Sequence, residues 1–234
     1  MARRATYFFD VHRSTAPTIK VSGGYEYLSP ESTSLPLSDL KGLVKAYDFI
    51  GYDVGLLSKE EAAFFEESNC VPDSSRKTTE KEPFTLITLE TGEKIGFLRF
   101  PSLDEIDQIP TDATLNSLSD QIKKHKQSVK LLIGITDWGW KVEREFLARN
   151  PEHIPDILLG SGNGSGVTGR ILADGRCIWY RTYNKGKTVI EVKLLAWPDR
   201  TKPFAWSEPE KIISQSIGLS DKYYDNPEVA NFFK

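Results

Sequence analysis

The chain has few of the features that assign a function at sight. Its 234 residues include two cysteines, Cys70 and Cys177, and sequence cannot show whether they meet. A net charge of -3 gives no basic stripe for nucleic acid. The nearest approach, KKHK at 123–126, reads as the solvated C-terminal end of a helix. No apolar stretch approaches the roughly 18 residues of a membrane helix. The opening MARRATYFFDVH has no run of signal-peptide length. There is no internal repeat, no phosphate-loop Lys-Ser/Thr, and no G-x-G-x-x-G heading a βαβ unit. Neither a nucleic-acid partner nor a membrane span is expected.

What is present is ordinary globular composition, 39% hydrophobic and 27% charged. Strand signals fall at Thr6–Asp10, Thr18–Val21, Asp53–Leu57, Lys130–Thr136 and Ile157–Gly160. Phe84–Leu89 and Lys94–Phe100 flank ETGE as a β-hairpin. Amphipathic helices are predicted from Ser38 to about Phe49, after Ser58, around Leu115–Ile122 and around Val142–Leu147. Residues 71–82 read as a polar, mobile loop. Two alternating strands, Cys177–Tyr183 and Thr188–Leu195, are expected to form a closing hairpin through NKGK, and short helices at most follow Pro198. Strands alternating with helices predict an α/β sandwich with a mixed sheet.

The stretch ILLGSGNGSGVTG at 157–169 poses the functional question, because a buried strand runs into a glycine-rich loop. Such a loop can hold an anion through successive N–H groups. It can equally be a connection with no ligand, or a catalytic loop.

Five segments in order carry a resemblance: FFDVH (8–12), IGYDVGLLSKEE (50–61), EKIGFLRF (93–100), LLIGITDWGW (131–140) and PDILLGSGNGSG (155–166). Together they resemble the calcineurin-like metallophosphoesterases, in particular the N-terminal domain of the 5'-nucleotidase and UDP-sugar hydrolase group. The resemblance implies a four-layer α/β/β/α sandwich with mixed sheets over residues 1–197, with 198–234 as a C-terminal extension packing on it. It also implies two metal ions that clamp phosphoryl oxygens and generate a hydroxide. The matching positions are largely emptied of ligands. Asp10 and His12 match the opening D-x-H. Tyr25, in GGYE, stands for a bridging Asp, and Ser58 and Lys59 stand for Asn and His, with Glu60 kept. Asp137 replaces a His, and Gly162 and Gly164 replace two more.

The expectation is therefore a catalytically degenerate, binding or interaction protein rather than an enzyme. No cofactor is expected, or at most one divalent metal on Asp10 and His12. The partner would be an unknown protein or a small anionic ligand. Trp138 and Trp140 could form a stacking platform beyond a strand end. The alternative is a single-metal or rewired phosphoesterase or nucleotidase, using Asp10, His12 and Asp137 around one metal with Glu60 as a further candidate, on small phosphate esters. Asp10 and His12 could also be a loop cap and a surface histidine, and Lys59 an exposed helix-start lysine. The resemblance points to a periplasmic or secreted protein, although this chain shows no leader.

Overall fold

A computed structural model describes residues 1–12, 14–32, 34–105, 108–183 and 186–234. The chain opens with helix α1 (Ala2–Thr6) running into a π-helical turn (Tyr7–Val11). It continues through β1 (Val21–Ser22), α2 (Leu37–Ile50), β2 (Val54–Leu56), α3 (Lys59–Glu67) and β3 (Arg76–Lys77). The middle holds β4 (Phe84–Thr88), β5 (Lys94–Arg99), α4 (Asp112–Lys126), β6 (Leu131–Thr136), α5 (Gly139–Ala148) and β7 (Ile157–Gly160). The last part is β8 (Val167–Leu172), β9 (Cys177–Arg181), β10 (Thr188–Leu194), β11 (Ile212–Gly218) and α6 (Pro227–Asn231).

Six strands form the central sheet in the order β4-β5-β6-β7-β9-β8, with β5, β6, β7 and β9 parallel and the two edges antiparallel. Residue parity sorts its two faces. Leu98, Leu132, Leu158 and Trp179 pack under Leu118 and Ile122 of α4 and Val142, Phe146 and Leu147 of α5. Phe97, Ile135, Ile157, Ile178 and Tyr180 face Val54 and Leu56 of β2 and Ile212 of β11. The parallel trio β1-β2-β3 and the antiparallel pair β10-β11 therefore supply the strands of the second layer. Beyond β2, Leu40 and Tyr47 of α2 pack with Phe65 of α3. The order of layers is α, β, β, α.

The predicted β4–β5 hairpin, both buried strands β6 and β7, and the Ser58 cap are observed. Gly51 ends α2 at φ +66°, the left-handed conformation for which glycine is the usual choice. Five expectations are corrected. Thr6–Asp10 is helical: its three apolar residues are too short a run to fix a period, and Ala5 packs against Ala46, Ile50 and Val229. α2 begins at Leu37 after Pro36, with no side-chain cap at Ser38. The polar stretch 71–82 contains β3, whose Arg76 is fully buried. β9 and β10 do not form a hairpin: β9 lies between β7 and β8, and β10 pairs with β11. Asn184 and Lys185 of the predicted NKGK turn lie outside the described residues. β11 itself follows Pro198, where no strand was expected; its apolar residues sit at its ends and only its partner reveals it.

Candidate functional site

Ligands of open α/β sheets lie beyond the carboxyl ends of the strands. Here those ends bring four segments together: Gly23–Tyr25 after β1, Ser58–Glu61 after β2, Asp137 after β6, and Ser161–Asn163 after β7. The Gly24 N–H donates to Ser161 Oγ at 2.9 Å, and that hydroxyl donates to the Thr136 carbonyl at 2.8 Å. A Cβ on Gly23 would stand 2.7 Å from Ser161 Cβ, so the close approach of the two loops requires glycine there. An open cleft of about 420 Å³, solvent included, lies over this junction; Tyr25, Lys59, Glu60, Glu105, Asp137 and Asn163 are among its lining residues.

One wall is built by Glu61. Its buried carboxylate accepts from the amides of Tyr25 (3.0 Å), Tyr27 (2.7 Å), Leu28 (3.3 Å) and Ser58 (3.1 Å). It closes the capping box of α3 and at the same time holds the loop after β1. Burial nevertheless raises its pKa. Tyr25, held at φ +59°, donates its hydroxyl to Glu60 at 2.9 Å. Burial, followed by that carboxylate, pushes the Tyr25 hydroxyl well above the ordinary tyrosine range. Burial and then Glu60 push Asp137 up to about 7. Lys59 points out to Asp104 at 3.2 Å.

The opposite wall is the glycine loop, which is closed from within. Arg181, 2% exposed at the end of β9, donates to the carbonyls of Ser161 (2.9 Å), Gly162 (3.0 Å), Asn163 (2.8 Å) and Ser165 (3.2 Å). Its charge is met by Glu143 of α5, which is 0% exposed and also accepts from Trp179 Nε1 at 2.7 Å. Burial pushes Glu143 up to about 7 against the pull of Arg181. The loop carbonyls of Ser161 and Asn163 also take the first amides of α5, from Gly139 at 3.1 Å and Trp140 at 2.8 Å.

Neither a family model nor a curated protein matches the chain. Solved structures do. A 5'-nucleotidase precursor from Thermus thermophilus superposes with a TM-score of 0.62 at 12% identity, over 99% of this chain and 51% of its own length. The sulfate thiohydrolase SoxB of the same organism gives 0.61 at 11% identity, over 92% of this chain and 42% of its own. The fold is metallophosphoesterase-like. The chain spans about half the length of these neighbours.

The metallophosphoesterase-like fold implies a pair of cations at these strand ends, and the residues present do not fit one. Glu61 is spent on four amides, Glu60 accepts from Tyr25, and Asp137 is pushed toward its neutral form. Among the described residues no three His, Cys, Asp or Glu side chains are placed to share an ion.

Of the residues singled out from sequence, Tyr25, Ser58, Lys59, Glu60, Asp137, Gly162 and Gly164 do gather at the strand ends. Asp10 and His12 do not. Asp10 lies within the π-helical turn and His12 just after it, with Asp10 accepting from the Tyr224 hydroxyl and His12 Nδ1 3.4 Å from Glu191 on β10. The carboxylate built into the scaffold is Glu61 rather than Glu60. Nor do the indoles stand open as a platform. Trp138 is 3% exposed, packed on Phe100 and Phe146 with its N–H on the Pro101 carbonyl at 2.7 Å. Trp140 packs against Gly164 and Trp179, under the Arg144 guanidinium. Sequence reasoning missed Arg181 and Glu143. Each left a trace: a charge ends the apolar strand CIWYR, and another sits beside Val142 and three residues before Phe146 on the buried face of α5.

Histidine does not fit this loop without rebuilding it. Gly162 and Gly164 have φ of +82° and +109°. A Cβ would lie 2.5 Å from the Asp137 carbonyl at the first and 2.3 Å from Trp140 Cβ at the second. Gly162→His and Gly164→His are each expected to cost about 2–4 kcal/mol through strain and overpacking. Urea midpoints check this; an unchanged midpoint would refute the closed-loop geometry.

Proposed function

We propose that this chain is a metallophosphoesterase-like scaffold given over to binding, with the strand-end cleft as its recognition surface and without two-metal phosphoester chemistry. The observation that carries the reading is the use of Arg181 and Glu143 to close the glycine loop, where the resemblance expects metal-ligating side chains. A binding role is also consistent with the walls being fixed by buried groups, since preorganised surfaces lose less entropy on association. Glu60 and Glu105 outnumber Lys59 around the cleft, so its charge favours a cationic or neutral ligand over the small anion allowed by the sequence.

The alternative phosphoesterase reading uses Asp10 and His12 with Asp137. The contacts of Asp10 with Tyr224 and of His12 with Glu191 lend it no support.

Elemental mass spectrometry on protein purified without chelator, with p-nitrophenyl phosphate turnover on the same sample and added manganese, tests the proposal. Substoichiometric metal and turnover no higher than that of Asp137→Asn are expected. Stoichiometric metal with turnover abolished by Asp137→Asn would overturn it.

A further inference from the structure

The central sheet ends in β4 on one side and β8 on the other, and the two edges are built differently. β8 has a register shift between Val167 and Arg170, with Gly169 at φ +70°. Bulges and charges are common ways of keeping an edge from pairing. β4 has neither. Its sequence FTLIT lacks charge, proline and glycine, and it pairs with β5 in unbroken register from Phe84↔Leu98 to Thr88↔Lys94.

The direction of its free groups follows from its flanks. The Pro83 carbonyl accepts from Arg99 and the Leu89 amide donates to the Glu93 carbonyl, each at 2.9 Å, so both residues turn toward β5. A residue in an antiparallel ladder sends its N–H and C=O to the same side, and its neighbours send theirs to the other. Phe84, Leu86 and Thr88 therefore turn theirs outward, and among the described residues no backbone or side-chain group pairs with them. Leu86, at the centre, is 47% exposed.

We propose that the β4 edge docks an extended segment of another protein, which adds as a seventh strand. The outward amides and carbonyls would supply affinity, and the side chains register. Two carboxylates bracket the strand: Glu82, with a side chain 40% exposed, and the exposed Glu90. Lys94, opposite Thr88, is one strand further in. The segment that answers this pattern has an apolar residue beside Leu86 and Lys or Arg at its ends. A second copy of the chain answers it poorly, because two-fold antiparallel pairing centred on Leu86 would set Glu82 of one copy against Glu90 of the other. The proposal concerns a surface separate from the cleft and stands whether or not the cleft reading holds.

The test uses the full chain and a fluorescein-labelled peptide, Lys-Thr-Val-Thr-Val-Thr-Val-Thr-Lys, whose central Val and terminal Lys share the face of Leu86, Glu82 and Glu90, followed by anisotropy. Saturable binding is expected, with the amides of Phe84, Leu86 and Thr88 slowing in hydrogen exchange when peptide is added. Leu86→Pro removes an outward N–H and leaves the β4–β5 ladder intact. It should weaken binding about ten-fold or more without lowering Tm; Thr88→Pro is the second variant should the first fail to fold. Glu90→Lys should weaken the basic peptide and favour one flanked by Glu. No saturable binding at millimolar peptide would overturn the proposal. So would unchanged affinity in a folded proline variant, or a Leu86 amide already protected in the free monomer. Dimerisation by sedimentation that Leu86→Pro abolishes would identify a second copy as the occupant and overturn it equally.

Discussion

Arg181→Met is expected to lower stability by about 3–5 kcal/mol, the cost of leaving one member of a buried ion pair without the other. For a domain of this size that corresponds to a fall in Tm of roughly 6–20 °C. Two losses combine. Glu143 keeps a desolvated carboxylate whose remaining side-chain partner is Trp179, and the carbonyls of residues 161, 162, 163 and 165 lose their shared donor. Differential scanning calorimetry reads the loss. Glu143→Met/Arg181→Met should be less damaging than Arg181→Met alone, because no charge is stranded. The pH dependence has a definite sign. Glu143 has a folded pKa of about 7 against an ordinary 4.5, so the folded state holds the proton more tightly. Its contribution is full below the ordinary value and declines as pH rises toward 7. Removing Arg181 removes a downward pull on that pKa and extends the decline to higher pH. A variant as stable as the parent would show that the pair does not hold the loop.

Glu61→Ala should cost about 3–5 kcal/mol, well above the ~1 kcal/mol of an ordinary helix cap. Four amides, three of them buried, lose their acceptor together, and those of Tyr25, Tyr27 and Leu28 lie in the loop that walls the cleft. Glu61→Gln separates shape from charge. One oxygen still accepts, but the new NH₂ faces amides that also donate, so about half the loss should remain. Ser58→Ala, which removes the reciprocal half of the capping box, is the mild comparison at ~1 kcal/mol. Denaturant midpoints rank the three. Limited proteolysis should cut Glu61→Ala within 24–28 first; cutting elsewhere would place the carboxylate's role in the helix alone.

Much of this architecture was legible because buried parallel strands are simple to read. KLLIGIT and DILLG are nearly continuous apolar runs flanked by turn signals, and SKEE announces its own cap. What escaped was decided by distant partners. TYFFD fits two periods, and contact with α2 and α6 selects the helical one. The Ile212–Gly218 strand is recognisable only beside β10. At the site, the gathering of Tyr25, Lys59, Glu60 and Asp137 was visible through the resemblance. Asp10 and His12 were misplaced because the strand meant to carry them is a helix. Arg181 and Glu143 escaped because neither the one charge of β9 nor one among the several charges of α5 names its partner until the fold brings the two elements together.

The first residues of the chain find their partners late. Arg3 pairs with Asp221 and Asp225, the Thr6 hydroxyl donates to the Tyr224 carbonyl, and the Tyr7 hydroxyl donates to Glu191. Each of these contacts closes a loop of more than 180 residues, as the separations of 184 and 218 show. Such contacts carry the largest closure entropy and form slowly. During synthesis residues 3–7 emerge well before the β10–α6 region that completes these contacts, so this segment settles only after that region has followed.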